Sequence, residues 1–221
     1  MANHNDFVQP IKPQSHIRFP LTRLLASGGA VRVLRALFLY GGPLSVSQIA
    51  SDTGMTPQGI RATLDTLVGQ QIVTVLGQGR STLYAADMRH PMAPALQALF
   101  IEEREHFRRL LQAIKDVMRR NEIEAAWYYG SVARADDTPA SDFDIAVIVA
   151  GDVDAVIDDL RLQLHGVESS YSVTFSVIGI AIDDVAAIAA DNAWWGEMAR
   201  DAKVIKGVLP DRLAKQLRRA A

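Results

Sequence analysis

The residues best placed for chemistry in this 221-residue chain lie within 127–149, WYYGSVARADDTPASDFDIAVIV. Asp142 and Asp144 open an apolar run. On a strand, side chains at i and i+2 point to the same face, so the two carboxylates stand side by side. Paired hard oxygen ligands suit Mg²⁺, which is usually held by one or two carboxylates together with substrate phosphates. Ten residues separate Asp142 from the Gly130-Ser131 pair, which ends a short aromatic strand. A glycine there permits close backbone approach, and the amides opening the next short helix suit a phosphate. The stretch therefore reads as a metal–nucleotide site.

Strands must hold those groups. Residues 123–129 are expected to form the first strand of a second domain, followed by the Gly-Ser turn, a short helix and a strand over 142–149. A helix carrying Val156, Leu160 and Leu164 is expected to close at His165-Gly166. A third strand over 172–180 and a helix with Val185 and Ile188 follow. The basic helix over 211–219 reads as a solvated face. Trp194-Trp195 reads as either packing or a nucleobase-stacking pair.

The first half has a different grammar. Residues 1–20 hold Pro10, Pro13 and Pro20 without periodicity and read as a flexible arm, with Lys12, His16 and Arg18 as possible phosphate contacts. Val31, Leu34, Leu37 and Phe38 share a helical face, and Gly41-Gly42-Pro43 ends that helix. Ser45 with Gln48 is a capping-box pattern. Thr56 and Pro57 form an N-cap and first turn for a helix that buries Ile60, Leu64, Leu67 and Val68. Two β-rich runs, 72–76 and 81–85, flank Gly77-Gln78-Gly79-Arg80 as a hairpin. Beyond Pro91 and Pro94, a long helix to about residue 120 carries Leu96, Leu99, Phe100, Phe107, Leu110, Leu111, Ile114 and Met118 as an apolar stripe. That stripe packs on its neighbours, joins the domains or pairs with a second copy.

Composition bounds the rest. With no cysteine, disulfides, thiolate metal sites and cysteine nucleophiles are excluded. No apolar run approaches the roughly 18 residues of a membrane span, and the expectation is a cytoplasmic protein. The net charge of −2 hides a gradient: residues 1–92 carry +4, residues 93–124 are neutral and residues 125–221 carry −6. A basic front suits a polyanion, and an acidic back suits a metal.

Gly130-Ser131, ten residues, then Asp142-Phe143-Asp144 resembles the minimal nucleotidyltransferases of the polymerase-β superfamily, over about residues 122–207. Ala135 stands where those enzymes usually have a glycine. The resemblance implies that Asp142 and Asp144 hold Mg²⁺, that Gly130 and Ser131 bind the terminal phosphates of a nucleoside triphosphate, and that Arg134 offsets their charge. It also implies a third carboxylate from the middle of the next strand. Here that strand reads Ser172-Val173-Thr174-Phe175-Ser176-Val177, with no carboxylate on either face; Glu168 precedes it, and Asp183 and Asp184 follow.

Residues 29–86 resemble winged helix-turn-helix regulators of the ArsR and MarR type. That likeness implies double-stranded DNA as partner, with Gln58 and Arg61 reaching the major groove and Arg80 at the hairpin tip meeting phosphate or the minor groove. The whole order resembles bacterial transcriptional regulators in which a winged helix is fused to a nucleotidyltransferase-like domain. The expected fold is α+β: an arm over 1–20, a winged helix-turn-helix over 21–92, a linking or dimerising helix over 93–121 and a nucleotidyltransferase-like α/β domain with a small mixed sheet over 122–221. The expected function is a DNA-binding regulator, dimeric on paired half-sites, whose second domain is degenerate but binds nucleotide and Mg²⁺. The alternative is an active Mg²⁺-dependent nucleotidyltransferase, adenylylating a partner toxin or a small molecule.

Overall fold

The computed structural model describes residue 15 and residues 17–220, apart from the side chains of Arg80 and Ala220. Lys12 and His16 of the arm lie outside the described residues. The chain divides into two compact units, Met1–Glu105 and His106–Ala221.

In the first unit a short helix α1 (Leu21–Leu24) leads into α2 (Gly28–Tyr40), α3 (Val46–Thr53) and α4 (Pro57–Gly69). Each of the last three starts on a hydroxyl cap: Ser27 accepts from the Ala30 amide, Ser45 forms a full capping box with Gln48, and Thr56 accepts from the Gly59 amide. Such caps satisfy amides that a helix start otherwise leaves without partners. Gly41 and Gly54 end α2 and α3 in the left-handed region. Strands β1 (Val73–Leu76) and β2 (Leu83–Ala86) form an antiparallel hairpin, and a bridge between Leu44 and Tyr84 ties it to the segment between α2 and α3. The α2 stripe is rotated slightly from expectation: Val33 is buried with Leu34, Leu37 and Phe38, whereas Val31 is only partly covered.

Helix α5 (Ala93–Val117) ends three residues before the expected stop. Leu96 and Phe100 join the first unit's core, while Leu110, Ile114 and Met118 join a core of the second. Leu99 and Phe107, expected in the buried stripe, are exposed.

The second unit holds a four-stranded mixed sheet in the order β5-β4-β3-β6, built from β3 (Ile123–Tyr129), β4 (Phe143–Val149), β5 (Phe175–Ala181) and β6 (Lys203–Lys206). β3 pairs antiparallel with β4 and β6, and β4 pairs parallel with β5 across helix α7 (Val153–Tyr171). Alternate residues of β4 feed two cores. Phe143, Ile145, Val147 and Val149 pack with Leu160 and Leu164 of α7. Ala146 and Ile148 face Trp127 and the helices α8 (Val185–Asp191), α9 (Ala193–Asp201) and α10 (Pro210–Ala220). A strand covered on both faces reads as a continuous apolar run, which is how β4 appears in the sequence.

Two further boundaries differ from expectation. Helix α7 continues through His165-Gly166 to Tyr171, since one interior glycine costs only about 1 kcal/mol. The actual stop is Ser172, left-handed at φ 55°, so β5 begins at Phe175, three residues late. Helix α10 is no solvated rod either, because Leu213 and Ala214 are buried.

Candidate metal–nucleotide site

Strand β3 delivers Tyr129 opposite Asp144 of β4. The chain then turns at Gly130, φ +73°, into the five-residue helix α6 (Gly130–Arg134). A side chain at Gly130 would place its Cβ 2.7 Å from Asp144 Oδ2. Glycine is thus required twice, by the positive φ and by the carboxylate pressed against it. Helix α6 ends at Ala135, which adopts the left-handed conformation at φ 60°. This is the position where the resemblance expects glycine, and the alanine accepts the same backbone shape.

The connecting loop is folded on itself: the Ser141 amide donates to the Thr138 carbonyl at 2.9 Å, and the Ser141 hydroxyl accepts from the Thr138 amide at 3.0 Å. It sets Asp142 immediately before β4. Asp142 is exposed, Phe143 buried and Asp144 half-buried. Burial raises the Asp144 carboxyl above its ordinary value; a hydrogen bond from Ser176 opposes this, the Asp142 charge adds to it and Arg134 lowers it. Burial and a neighbouring like charge both disfavour the ionised carboxylate, a penalty that a bound cation would relieve. Arg134 is itself engaged, donating to Asp136 at 3.1 Å and to Asp201 at 2.6 Å.

The parallel register settles which residue of β5 stands beside the pair: Asp144 is level with Ser176. None of the three carboxylates flanking that strand in the sequence comes to the site. Glu168 accepts from the Phe175 amide at 2.9 Å and meets His165 at 3.2 Å. These partners hold its carboxyl below the ordinary carboxylate range. Glu168 belongs to α7, on the face of the sheet opposite Asp144. Asp183 and Asp184 lie in the 3₁₀ turn Ile182–Asp184 beyond the far end of β5, and the strand from Ser176 to Ala181 alone spans roughly 17 Å. Among the described residues no group of three or more His, Asp or Glu side chains could hold a metal ion. The two carboxylates fit one Mg²⁺ completed by substrate phosphates. They do not furnish the charged set of a second metal.

Sequence reasoning left three participants unassigned: Ser176 as the neighbour of Asp144, Asp201 as an anchor for Arg134, and Tyr129 as the partner of Trp194, whose pair with Trp195 has two open readings, packing or base stacking. Period-two alternation allowed two faces for β5, and only the register chose between them. Asp201 is distant in sequence and carries no local signal, and the Trp194-Trp195 pair does not show by itself which indole flanks Tyr129.

In the first unit, Gln58 and Arg61 are exposed near the start of α4. Arg61 shares a cleft with Ser45, Ser47, Pro57, Gly79, Thr82 and Tyr84, so α3, α4 and the hairpin meet on one face. Arg80 lies in the 3₁₀ turn Gly79–Ser81, its side chain outside the described set. No helix among the described residues is long and apolar enough to cross a membrane.

The family model for polymerase-β nucleotidyltransferases matches residues 112–179. No curated protein matches the chain. One similar solved structure is a toxin–antitoxin with AMP-PNP, with TM-score 0.36 and 16% identity, over 50% of this chain and 85% of that one. Another is a mutant MntA–HpeT toxin–antitoxin, with TM-score 0.34 and 13% identity, over 51% and 84%. The stretch matched by the family model holds Gly130, Ser131, Arg134, Asp142, Asp144 and Ser176, and the second unit carries a nucleotidyltransferase-like domain.

Proposed function

We propose that the second unit binds a nucleoside triphosphate as its Mg²⁺ complex and transfers the nucleotidyl group to a hydroxyl acceptor, on a partner protein such as a toxin or on a small molecule. The observation that carries this reading is Gly130 pressed against Asp144, which joins the phosphate-binding turn and the metal-binding carboxylate in one site. Asp142 and Asp144 hold the metal, which when bound neutralises the phosphate charge. Gly130 and Ser131 take the terminal phosphates, and Arg134 supplies positive charge beside them. Ser176 contributes a neutral hydroxyl where a third carboxylate would assist the attacking hydroxyl, so binding is retained while transfer is slow. Incubation of the full chain with α-labelled ATP, Mg²⁺ and extract supplying acceptors is expected to give labelled product and pyrophosphate. D142N and D144N serve as blanks. The reading fails if calorimetry detects no MgATP binding to the wild type.

A second reading concerns the first unit and is favoured by the clustering of Arg61 with the hairpin turn in one cleft. In it, the unit is a winged helix-turn-helix that binds duplex DNA as a cytoplasmic regulator, with two copies on paired half-sites. Gln58 and Arg61 meet the major groove, and Arg80 meets phosphate. Binding should weaken with salt and on Arg61→Ala or Arg80→Ala. Indifference to its own promoter DNA at low salt would refute this.

A further inference from the structure

Two adjacent tryptophans open α9, and the fold uses them differently. Trp195 is 3% exposed and meets Trp127 edge to face, with ring centroids 6.0 Å apart, inside the core. Its packing docks the helix. Trp194 is only half-buried and meets the Tyr129 ring edge to face at 5.8 Å. Tyr129 is the cross-strand partner of Asp144, so its side chain leaves the sheet on the face that carries the carboxylate. The closeness is electrostatic as well: burial and the Asp144 charge both raise the Tyr129 hydroxyl, partly offset by a hydrogen bond with Trp194. At the other end of α9, Asp201 grips Arg134. Helix α9 is therefore tied twice to the segment bearing Gly130 and Ser131.

What borders Asp144 on this face differs from side to side. Towards β5 stands Ser176, with a small polar side chain. Towards β3 stands Tyr129 with Trp194 behind it. The rings of Tyr128, Phe143 and Phe175 pack together on the opposite face. A triphosphate whose metal is held by Asp142 and Asp144 carries its nucleoside one ester bond from the α-phosphate. Resting on the nucleotide-binding reading above, we infer that Trp194 and Tyr129 form the nucleoside platform of the site, with the base stacked on the Trp194 indole and purines favoured over pyrimidines. Tyr129 holds the indole edge-on and lines the sugar.

Tryptophan fluorescence isolates the platform, because Trp127 and Trp195 are 0% and 3% exposed and shielded from a ligand. MgATP is expected to quench the full-length protein, MgCTP less so, and Mg-tripolyphosphate not at all. In W194F, whose ring is kept, MgATP affinity by calorimetry should stay within about twofold while the quench disappears. In W194A, MgATP should bind on the order of tenfold more weakly, the loss of one base–aromatic stack, with Mg-tripolyphosphate affinity unchanged. Quenching that persists in W194F, or unaltered MgATP affinity in W194A, overturns the platform. If wild-type MgATP and Mg-tripolyphosphate bind equally and D144N abolishes both, the platform falls while the metal–nucleotide site stands. If neither binds the wild type, both readings fall.

Discussion

At the residue scale, Gly130 and Ala135 bracket the same five-residue helix with positive φ and opposite demands. Gly130 has Asp144 against it, and Ala135 only backbone strain of the kind that costs an L-residue roughly 1–2 kcal/mol. Gly130→Ala should therefore destabilise the second unit by about 2 kcal/mol through φ alone. It should also displace Asp144 and lower MgATP affinity at least tenfold. Ala135→Gly should instead stabilise the unit by about 0.5 kcal/mol, the relieved strain less the entropy that glycine adds to the unfolded chain, with affinity unchanged. Thermal melts and calorimetry on the two variants separate these outcomes. Asp144 also sets a pH dependence. Its carboxyl is raised above the ordinary 3.8 chiefly by burial. In a metal-free protein its protonated form is favoured, so its contribution to stability is lost as pH climbs from 3.8 through the raised value. Mg²⁺ needs the ionised form, so metal-dependent nucleotide binding should decline on acidification while the pH is still above 3.8. Asp144→Asn should remove that slope and the binding together, and a slope that survives in the variant would assign it to another group.

At the element scale, the strand–turn–strand unit that builds the site was legible from sequence because its information is local. The aromatic strand, Gly130-Ser131 and the alternating carboxylates each follow from neighbouring residues, and β3 and β4 follow each other as an antiparallel pair. β5 was not legible in the same way. Its register is set by parallel pairing across a 19-residue helix, whose end is fixed by a left-handed Ser172 that no propensity announces. The same limit hid the division of labour between Trp194 and Trp195, since the sequence shows two indoles and only the sheet shows which one meets Trp127. Once fixed, the register makes its own prediction. Ser176 is level with Asp144, so Ser176→Asp restores a third carboxylate within the site. A positioned proton acceptor contributes roughly 10²–10⁴-fold. Mg²⁺-dependent label transfer should rise by at least about tenfold in this variant, with Ile178→Asp, level with Ala146, as a control one pleat away. Equal rates in wild type and both variants would mean that the missing carboxylate does not limit transfer.

At the scale of the whole molecule, charge and core are both partitioned. Residues 1–92 carry +4 and residues 125–221 carry −6, and each unit closes its own apolar core. Helix α5 contributes to both, Phe100 to the first and Ile114 to the second. Independent cores imply that scanning calorimetry should resolve two unfolding transitions rather than one. The residues of the proposed MgATP site all lie in the second unit, so MgATP should raise that unit's transition alone, by about 2.7 kcal/mol at a hundredfold excess over its Kd. Phe100→Ala, which opens a cavity in the first core, should cost roughly 3–5 kcal/mol in the other transition, and Ile114→Ala about 2–5 kcal/mol in the nucleotide-responsive one. A single transition that MgATP moves as a whole would show the two cores to be energetically one. Any ligand of the first unit, duplex DNA on the second reading proposed above, would then be coupled to nucleotide through folding itself, each changing the other's affinity by the same factor.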